Sequence, residues 1–424
     1  MANKFSQGTV VGAGMVISGV DADTASVPES APAPAPAPTV YTYAITGATD
    51  DPTTSEWRDN YAPAGYTWVA NQGLTSDEPL TNTSMMFEGT DMTSIDVTNL
   101  DTSEVIVASR MFKDAVGMDV TPSDLTGWDV SKIRDFQSMF KNTSFNQAIG
   151  GWTLSTDRTT PIDDVVSNWT TQDPEVLIDG YDSNWTYPSS TVPNWDGTGI
   201  NMGEMFEDNE SFNQDIGAWN VSAVFCMDQM FDDAKGFDNG GSPSIGNWDT
   251  SYVVDFFAMF RDAEAFSQDI GGWDVSNART LSTMFRETKS FSYDLNSWNT
   301  SNVKSLKSMF SYSDFNAPIG NWDTSSVENM DEMFEEAEEF DQDIGSWDVS
   351  NVTSMNEMFQ DAIAFNNGGS PSIGNWDTSS VEDMGEMFEN ADSFTQDVSG
   401  WNVSSVTYSS QFDNGVEGNF SSPF

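Results

Sequence analysis

Two columns of carboxylates are the first residues in this sequence whose type and spacing could do chemistry. In the first column each Asp follows a glutamine, and its members are Asp215, Asp269, Asp343 and Asp397. In the second column each residue follows a tryptophan, and its members are Asp249, Asp274, Asp323, Asp348 and Asp377, with Asn220, Asn299 and Asn402 at equivalent positions. Carboxylates stacked in this way would attract cations, and calcium is the hard cation that prefers oxygen ligands.

The competing interpretation is that each of these side chains caps a turn. An Asp or Asn side chain accepts a hydrogen bond from the backbone two residues further on, and Asn does so without a charge. The Asn residues in the second column therefore favour turns, and no stretch has the spacing of a calcium-binding loop. We expect a structural role for both columns and no cofactor, with weakly bound calcium at the four Gln-Asp positions as the one alternative left open.

The charge balance excludes several classes of function. The 424 residues include 67 acidic and 15 basic side chains, for a net charge of −52, and the last basic residue is Lys307. Binding to nucleic acid or to an anionic membrane surface requires Lys and Arg, so neither is expected. The chain has no His and only one Cys, Cys226, which excludes disulfides within the chain, Ser-His triads and common zinc sites. We expect no catalysis and no membrane insertion.

A unit of about 25 residues recurs along the chain and must position these carboxylates. It reads W-D-[TV]-S-x-V-x-x-M-x-x-M-F-x-x-A-x-x-F-x-Q-D-I-G. Two steps of 29 residues carry near-identical inserts that begin at Asp238 and Asn366. Because insertions fall at fixed points while the Trp and Met-Phe columns never shift, these columns are predicted to form the core. The predicted core residues are Trp219, Trp248, Trp273, Trp298, Trp322, Trp347, Trp376, Trp401, Phe334 and Phe359.

The period within one unit predicts its local structure. Residues 346–350, SWDVS, alternate apolar and polar side chains, which indicates a short strand. The apolar residues from Val352 to Phe365 are spaced by three or one, which indicates a short helix or 3₁₀ turn. One unit cannot bury its own apolar stripe, so the units must stack. The expected fold class is a repeat solenoid, leucine-rich-repeat-like, in which each coil has a short strand plus a short helix or 3₁₀ turn, with an N-terminal extension.

This unit resembles that of the BspA-like leucine-rich-repeat family of bacterial surface proteins. The resemblance is close over residues 196–407 and looser over residues 81–152. It implies a leucine-rich-repeat-like solenoid on a surface, associated with adhesion. It implies neither catalysis nor a defined set of functional residues.

The parts outside the repeat predict a modular chain. Residues 1–27 are an anchoring peptide, 28–39 a Pro-Ala linker, 40–80 an N-terminal cap that begins with the strand-like VYTYAITG, 81–407 the solenoid and 408–424 a C-terminal cap. The anchoring residues are Phe5, Val10, Val11, Met15, Val16 and Ile17. An insertion at 153–194 interrupts the solenoid. Its aromatic residues Trp169, Tyr181, Trp185 and Tyr187 either form a platform that binds sugar or protein, or pack the insertion onto the solenoid.

These parts predict a non-enzymatic surface-display protein. The N-terminal segment would attach to a virion capsid or tail protein, as in a phage capsid decoration or fibre protein, and the acidic solenoid would bind a host or cell-surface protein or glycan. The expected location is the virion surface, because no clear signal cleavage site or lipoprotein cysteine is present. One alternative is an exported bacterial adhesin, extracellular or on the cell surface. Another is a solenoid polysaccharide depolymerase that uses a pair of carboxylates.

Overall fold

The computed structural model describes residues 79–159, 198–416 and 421–424, together with three short strands before them. The three strands are β1 (Tyr41–Tyr43), β2 (Thr67–Val69) and β3 (Gly73–Ser76). They form an antiparallel sheet in the order β1-β3-β2. The strand expected at the start of residues 40–80 is therefore present as β1.

The described repeats form a stack of coils that are joined by parallel β-bridges. One column of bridging residues runs through all the coils: Asn82, Val107, Asp135, Asn201, Cys226, Asp255, Thr280, Ser305, Asn329, Ser354, Asp383 and Tyr408. Two further bridges join Asp91 to Val116 and Asp397 to Ser421. Between the fourth and fifth of these coils the pairing lengthens into the short parallel strands β4 (Ile200–Asn201) and β5 (Val224–Cys226). This arrangement agrees with the predicted repeat solenoid.

The local structure of each coil differs from the sequence prediction. Residues 347–349 form no strand, and the β-bridge falls instead at Ser354. Of the predicted short helix or 3₁₀ turn, the helix is wrong: residues 356–361 form successive turns, each closed by a bond from residue i+3 to residue i, such as Met358 to Met355 (3.3 Å). Every coil has two residues with positive φ four positions apart, such as Glu357 (56°) and Asp361 (54°). A left-handed residue at every fourth position cannot continue an α-helix.

The backbone amides explain why turns replace the helix. Alternate amides donate to the next coil, and the amides between them close turns within their own coil, such as that of Glu335 to the carbonyl of Glu332 (3.1 Å). In the coil that begins at Asn329, the amides of Met330, Glu332, Phe334 and Glu336 donate at 2.8 to 3.0 Å to the carbonyls of Ser354, Asn356, Met358 and Gln360. An α-helix would use these amides within one segment and leave the neighbouring coils unpaired.

The core runs through the stack as columns of aromatic rings. The ring of Phe334 lies 5.8 Å from Phe310, 5.6 Å from Phe359 and 3.9 Å from Phe340, all in stacked geometry. All eight tryptophans expected in the core are buried, as are Phe334 and Phe359. Each coil thus completes the core of its neighbour, which a single unit cannot do.

Short 3₁₀ helices mark the loops that follow the core. One is Ile149–Gly151, and each 29-residue repeat carries a pair. The pairs are Asn239–Gly241 with Pro243–Asn247, and Asn367–Gly369 with Pro371–Asn375. Gly241 and Gly369 have φ of 74°, a conformation that glycine adopts without strain.

Candidate functional site

The four Gln-Asp carboxylates accept hydrogen bonds from turn amides. The amides belong to Gly217, Gly271, Gly345 and Ser399, each two residues beyond its Asp, at 3.0 to 3.1 Å. The hydroxyl of Ser244 also donates to Asp215 (2.7 Å) and lowers the pKa of that carboxyl. Within the ranges that the structure describes, no group of three or more His, Cys, Asp or Glu residues has the arrangement of a metal site.

The residues that follow the tryptophans make the same kind of turn. Asp249, Asp274, Asp323, Asp348, Asp377, Asn220, Asn299 and Asn402 each accept from the serine amide two residues on, at 2.9 to 3.2 Å. The serine hydroxyl of Ser251 adds a second bond to Asp249 (2.6 Å) and lowers the pKa of its carboxyl. In both columns the side-chain oxygens therefore make the hydrogen bonds that the turn interpretation predicts.

Two other sets of predicted site residues lie outside the described part of the chain. They are the insertion aromatics Trp169, Tyr181, Trp185 and Tyr187, and the anchoring residues Phe5, Val10, Val11, Met15, Val16 and Ile17. Within the described part, no helix has both the length and the apolar character that crossing a bilayer requires.

The described coils present a surface of mostly polar side chains, interrupted at the buried Phe257 and Ala258, which we call the turn face. It consists of the outward side chains of the turns, which in the coil at Asn329 are Asn329, Asp331, Glu332, Glu335 and Glu336. The residues between them, such as Met333 and Phe334, are buried. Because each position recurs in the next coil, the turn face is a set of parallel side-chain columns.

The N-terminal part of the turn face is held by ion pairs between coils. The Nζ of Lys141 lies 2.9 Å from Glu204 and 2.6 Å from Glu207. Burial, together with the nearby charge of Glu204, raises the pKa of Glu207 to about 9. Arg261 donates from Nε to the Oδ1 of Asp232 (2.6 Å), and its Nη2 lies 2.6 Å from the Oδ2 of the same carboxylate. Burial nevertheless raises the pKa of Asp232 to about 7.

These ion pairs were not predicted from the sequence. Lys141 and Glu204 lie 63 residues apart, because the segment 160–197 intervenes between neighbouring coils. The one available signal was that both residues flank a Met-Phe pair at fixed offsets.

The C-terminal part of the turn face is acidic. Lys307, the last base, lies 3.0 Å from Glu332. Beyond it, amide side chains replace bases: Gln360 donates to Glu386 (3.2 Å) and Glu389 (3.1 Å). Asn414 donates to Glu389 at 2.7 Å. These carboxylates accept hydrogen bonds from neutral amides, whereas the N-terminal coils have bases at this surface.

Two shallow grooves open beside the inserts. One, of about 450 Å³, is lined by Asp215, Gly217 and Ser244 among others. The other, of about 340 Å³, is lined by the equivalent Asp343, Gly345 and Ser372. Each groove forms where the serine of an insert lies over the glycine of the preceding coil. The repeated insert was visible in the sequence, but the grooves were not.

A family model described as "Mycoplasma protein of unknown function, DUF285" matches four successive segments of the chain: residues 75–174, 157–243, 242–314 and 306–420. The chain belongs to the DUF285 family. The DUF285 matches span the whole stack of coils and agree, at the level of a tandem-repeat family, with the resemblance to BspA-like repeat proteins. The comparison with curated proteins gave no match, and neither did the comparison with solved structures.

Proposed function

We propose that this DUF285 protein is a non-enzymatic surface-display protein whose leucine-rich-repeat-like solenoid presents the turn face to a partner. The observation that carries the proposal is the column arrangement of the turn face. Alternate backbone amides join neighbouring coils at about 3 Å through the described stack. Such a ladder fixes the spacing of the outward side chains, which is what a binding surface requires.

The charge of the turn face indicates the kind of partner. The charge of Lys307 acts on Glu357, but no basic residue follows Lys307 in the sequence to neutralise Glu386 and Glu389. A partner with a basic surface would be steered towards this region, and the association rate would fall as salt is added. The proposed partner is a host or cell-surface protein or glycan that carries basic groups.

The anchoring part of the proposal rests on the sequence. Residues 1–27 would attach to a virion capsid or tail protein, and the Pro-Ala linker at 28–39 would hold the solenoid away from that surface. The proposed location is the virion surface. The alternative is an exported bacterial adhesin on the cell surface, which the resemblance to BspA-like proteins supports.

Mass spectrometry of density-purified virus particles and of washed cells from the source distinguishes these locations. We expect the intact N-terminus with the particles, and we expect a variant that lacks residues 1–27 to leave them. The opposite result would be a chain on washed cells that has lost about 20 to 25 residues from its N-terminus, roughly the length of a signal peptide. That result would contradict the virion proposal and support the adhesin alternative.

A matched pair of triple variants tests the binding surface. We expect Glu357→Gln, Glu386→Gln and Glu389→Gln together to weaken binding to source cells about tenfold, since three attractive charges are lost. The control is Asp323→Asn, Asp348→Asn and Asp377→Asn, which removes the same charge from exposed turns elsewhere on the coil. Equal binding by both variants would contradict a role for the turn face.

A further inference from the structure

The side chain of Lys141 is packed against two carboxyl groups of the next coil. Its Nζ lies 2.9 Å from the Oε2 of Glu204 and 2.6 Å from the Oε2 of Glu207, and the three side chains are 21%, 12% and 10% exposed. Among the described ion pairs, the other lysine that reaches two carboxylates is Lys235, which is 40% exposed and lies 3.4 and 3.5 Å from them. The site at Lys141 is therefore the tighter of the two and the better protected from water.

The hydrogen bonds identify Glu204 as the charged carboxyl group of this site. Its Oε2 accepts from the hydroxyl of Ser138 (3.0 Å) and from the Nζ of Lys141 (2.9 Å), and its Oε1 accepts from the Nε2 of Gln137 (3.2 Å). Donors of this kind favour the ionised form. Burial opposes the charge, but Lys141 and the other donors outweigh burial and lower the pKa of Glu204.

Glu207 is the neutral carboxyl group of the site. The Nε2 of Gln229 is 3.5 Å from its Oε1, too far for a strong hydrogen bond. Burial and the nearby charge of Glu204 raise the pKa of Glu207 to about 9, so near neutral pH it is a carboxylic acid. Two carboxyl groups whose pKa values are driven apart in one site can act as a base and an acid.

We propose that Lys141 and Glu207 become joined by an amide bond between their side chains, with Glu204 as the base. The ammonium of Lys141 first gives a proton to the carboxylate of Glu204. The neutral Nζ then attacks the Cδ of Glu207, and Glu204 carries a second proton from the nitrogen to the departing oxygen. One N–C bond forms, one C–O bond breaks, one water molecule leaves and Glu204 ends protonated. The reaction needs no oxidant, reductant or further reactant.

Burial favours this condensation. In water, hydration stabilises a separate ammonium and carboxylate, but the charges of Lys141 and Glu204 have already been removed from most of that water, which is costly. The reaction replaces this ion pair by a neutral amide and a neutral acid. The fold also holds the reacting groups in contact, so that no encounter between separate molecules is required.

The charge state of Lys141 sets the rate. Burial opposes its charge, but Glu204 and Glu207 outweigh burial and raise the pKa of the amine. The neutral amine that attacks is therefore a minor state. We expect the bond to form slowly and once in each chain, after the coils have folded.

The bond would join two neighbouring coils permanently. The rings of Phe140 and Phe206, one in each coil, are stacked 5.6 Å apart, although the segment 160–197 separates them in the sequence. A bond across this long loop removes conformations from the unfolded chain and so favours the folded state. The proposal does not depend on which partner the turn face binds.

The mass of the intact protein tests the proposal. The folded protein, stored until its mass no longer changes, should be lighter than its sequence by one water molecule. Lys141→Arg keeps the charge but removes the nucleophile, so it should have the full mass, as should the unsubstituted protein kept unfolded in urea. The matched control is Lys307→Arg, because Lys307 is 14% exposed but pairs with one carboxylate, that of Glu332. This control should still lose one water.

The position of the bond must also be measured, because chains can lose water elsewhere. Trypsin cuts after Lys and Arg, and a linked Lys141 is not cut. The peptide 135–158 should therefore be recovered joined to the peptide 159–235, with Glu207 as the point of attachment. This digest uses the unsubstituted protein and decides the question even if a variant does not fold.

Glu204→Gln tests the role of the base. We expect the bond to form about a hundredfold more slowly in this variant, within the usual effect of a general base. A full mass for the stored protein, or a loss of water that persists in Lys141→Arg, would overturn the proposal. Attachment at Glu204 in place of Glu207, or an unchanged rate in Glu204→Gln, would overturn the roles assigned to the two carboxyl groups.

Discussion

The side-chain oxygen of Asn367 accepts a hydrogen bond from the backbone amide of Ile344, 2.9 Å away in the preceding coil. Its Nδ2 donates to the carbonyl of Ser370 (2.7 Å) and to the hydroxyl of Ser372 (3.0 Å). Asn239 makes the same bond to Ile216, also at 2.9 Å. Both Asn side chains are completely buried. One side chain therefore joins each insert to the coil before it.

We expect Asn367→Ala to lower the free energy of unfolding by about 2 kcal/mol, because the buried amide of Ile344 would lose its acceptor. Urea denaturation followed by tryptophan fluorescence measures the change. The control is Asn375→Ala, since Asn375 lies in the same insert but its bond to Ser372 is exposed. Equal shifts in the two variants would mean that Asn367 has no special role.

A second prediction compares a buried tryptophan whose indole N–H has an acceptor with one whose indole N–H has none among the described residues. The Nε1 of Trp347 donates to the carbonyl of Ile319 (3.2 Å), whereas the Nε1 of Trp376, which follows an insert, is buried without an acceptor among the described residues. Both substitutions to Phe remove apolar volume of the same size. We expect Trp347→Phe to be more destabilising than Trp376→Phe by about 1 kcal/mol, the net value of one hydrogen bond.

Thermal unfolding of these two variants, monitored by circular dichroism, decides the point. Trp248, which follows the other insert and also lacks an acceptor, should behave like Trp376. A larger loss for Trp376→Phe than for Trp347→Phe would contradict the prediction.

The ion pair between Arg261 and Asp232 should couple the stabilities of two neighbouring coils strongly. The carboxylate of Asp232 is fully buried, so Arg261→Met would leave it without its counter-ion. We expect a loss of about 3 to 5 kcal/mol. Adding Asp232→Asn should recover a large part of that loss, because the buried charge is then gone. A double-mutant cycle in urea measures the coupling, and additive effects would argue against a direct interaction.

Several carboxyl groups of the turn face have raised pKa values. We therefore expect the protein to be more stable in mild acid than in mild base. Removal from water, with Asp255 and Glu204 nearby, raises the pKa of Asp228 to about 8, and burial raises the pKa of Glu335 to about 7. In the unfolded chain such groups titrate near about 4. Their contribution to stability is therefore fully present below about pH 4 and is lost as pH rises through 7 to 8.

The melting temperature should accordingly be higher at pH 5.5 than at pH 8.5. The variant Asp228→Asn should flatten this dependence, since its amide remains neutral and can still accept from the thiol of Cys226 (2.8 Å). Exposed turn carboxyls such as Asp124, whose pKa is lowered by the hydroxyl of Thr126, act in the opposite sense but only below about pH 4. A melting temperature that rises steadily from pH 5.5 to pH 8.5 would contradict the prediction.

Much of the fold could be predicted from the sequence, because each structural position occurs in many repeats and the residue types found there can be compared. The tryptophan and Met-Phe columns never shift in register, so residues such as Trp347 and Phe359 could be assigned to the core from the sequence alone. The Asn at position 402 in a column of Asp indicated a turn, and its side chain accepts from the amide of Ser404 at 3.1 Å. Both inferences rest on the type of side chain and its immediate neighbours.

The path of the backbone depended on contacts between coils. Apolar residues at Val352, Met355 and Met358 fit a helix, but overlapping turns also advance by about three residues, so the spacing did not distinguish them. The amide of Glu357 donates to Gly385 in the next coil (2.8 Å), and that partner is what selects the turns. The partnership of Lys141 with Glu204 was equally beyond the sequence, because it depends on which coil follows the segment 160–197. Local chemistry thus determined the repeat and its core, while the hydrogen bonds and charges shared between coils decided the backbone and the surface that it presents.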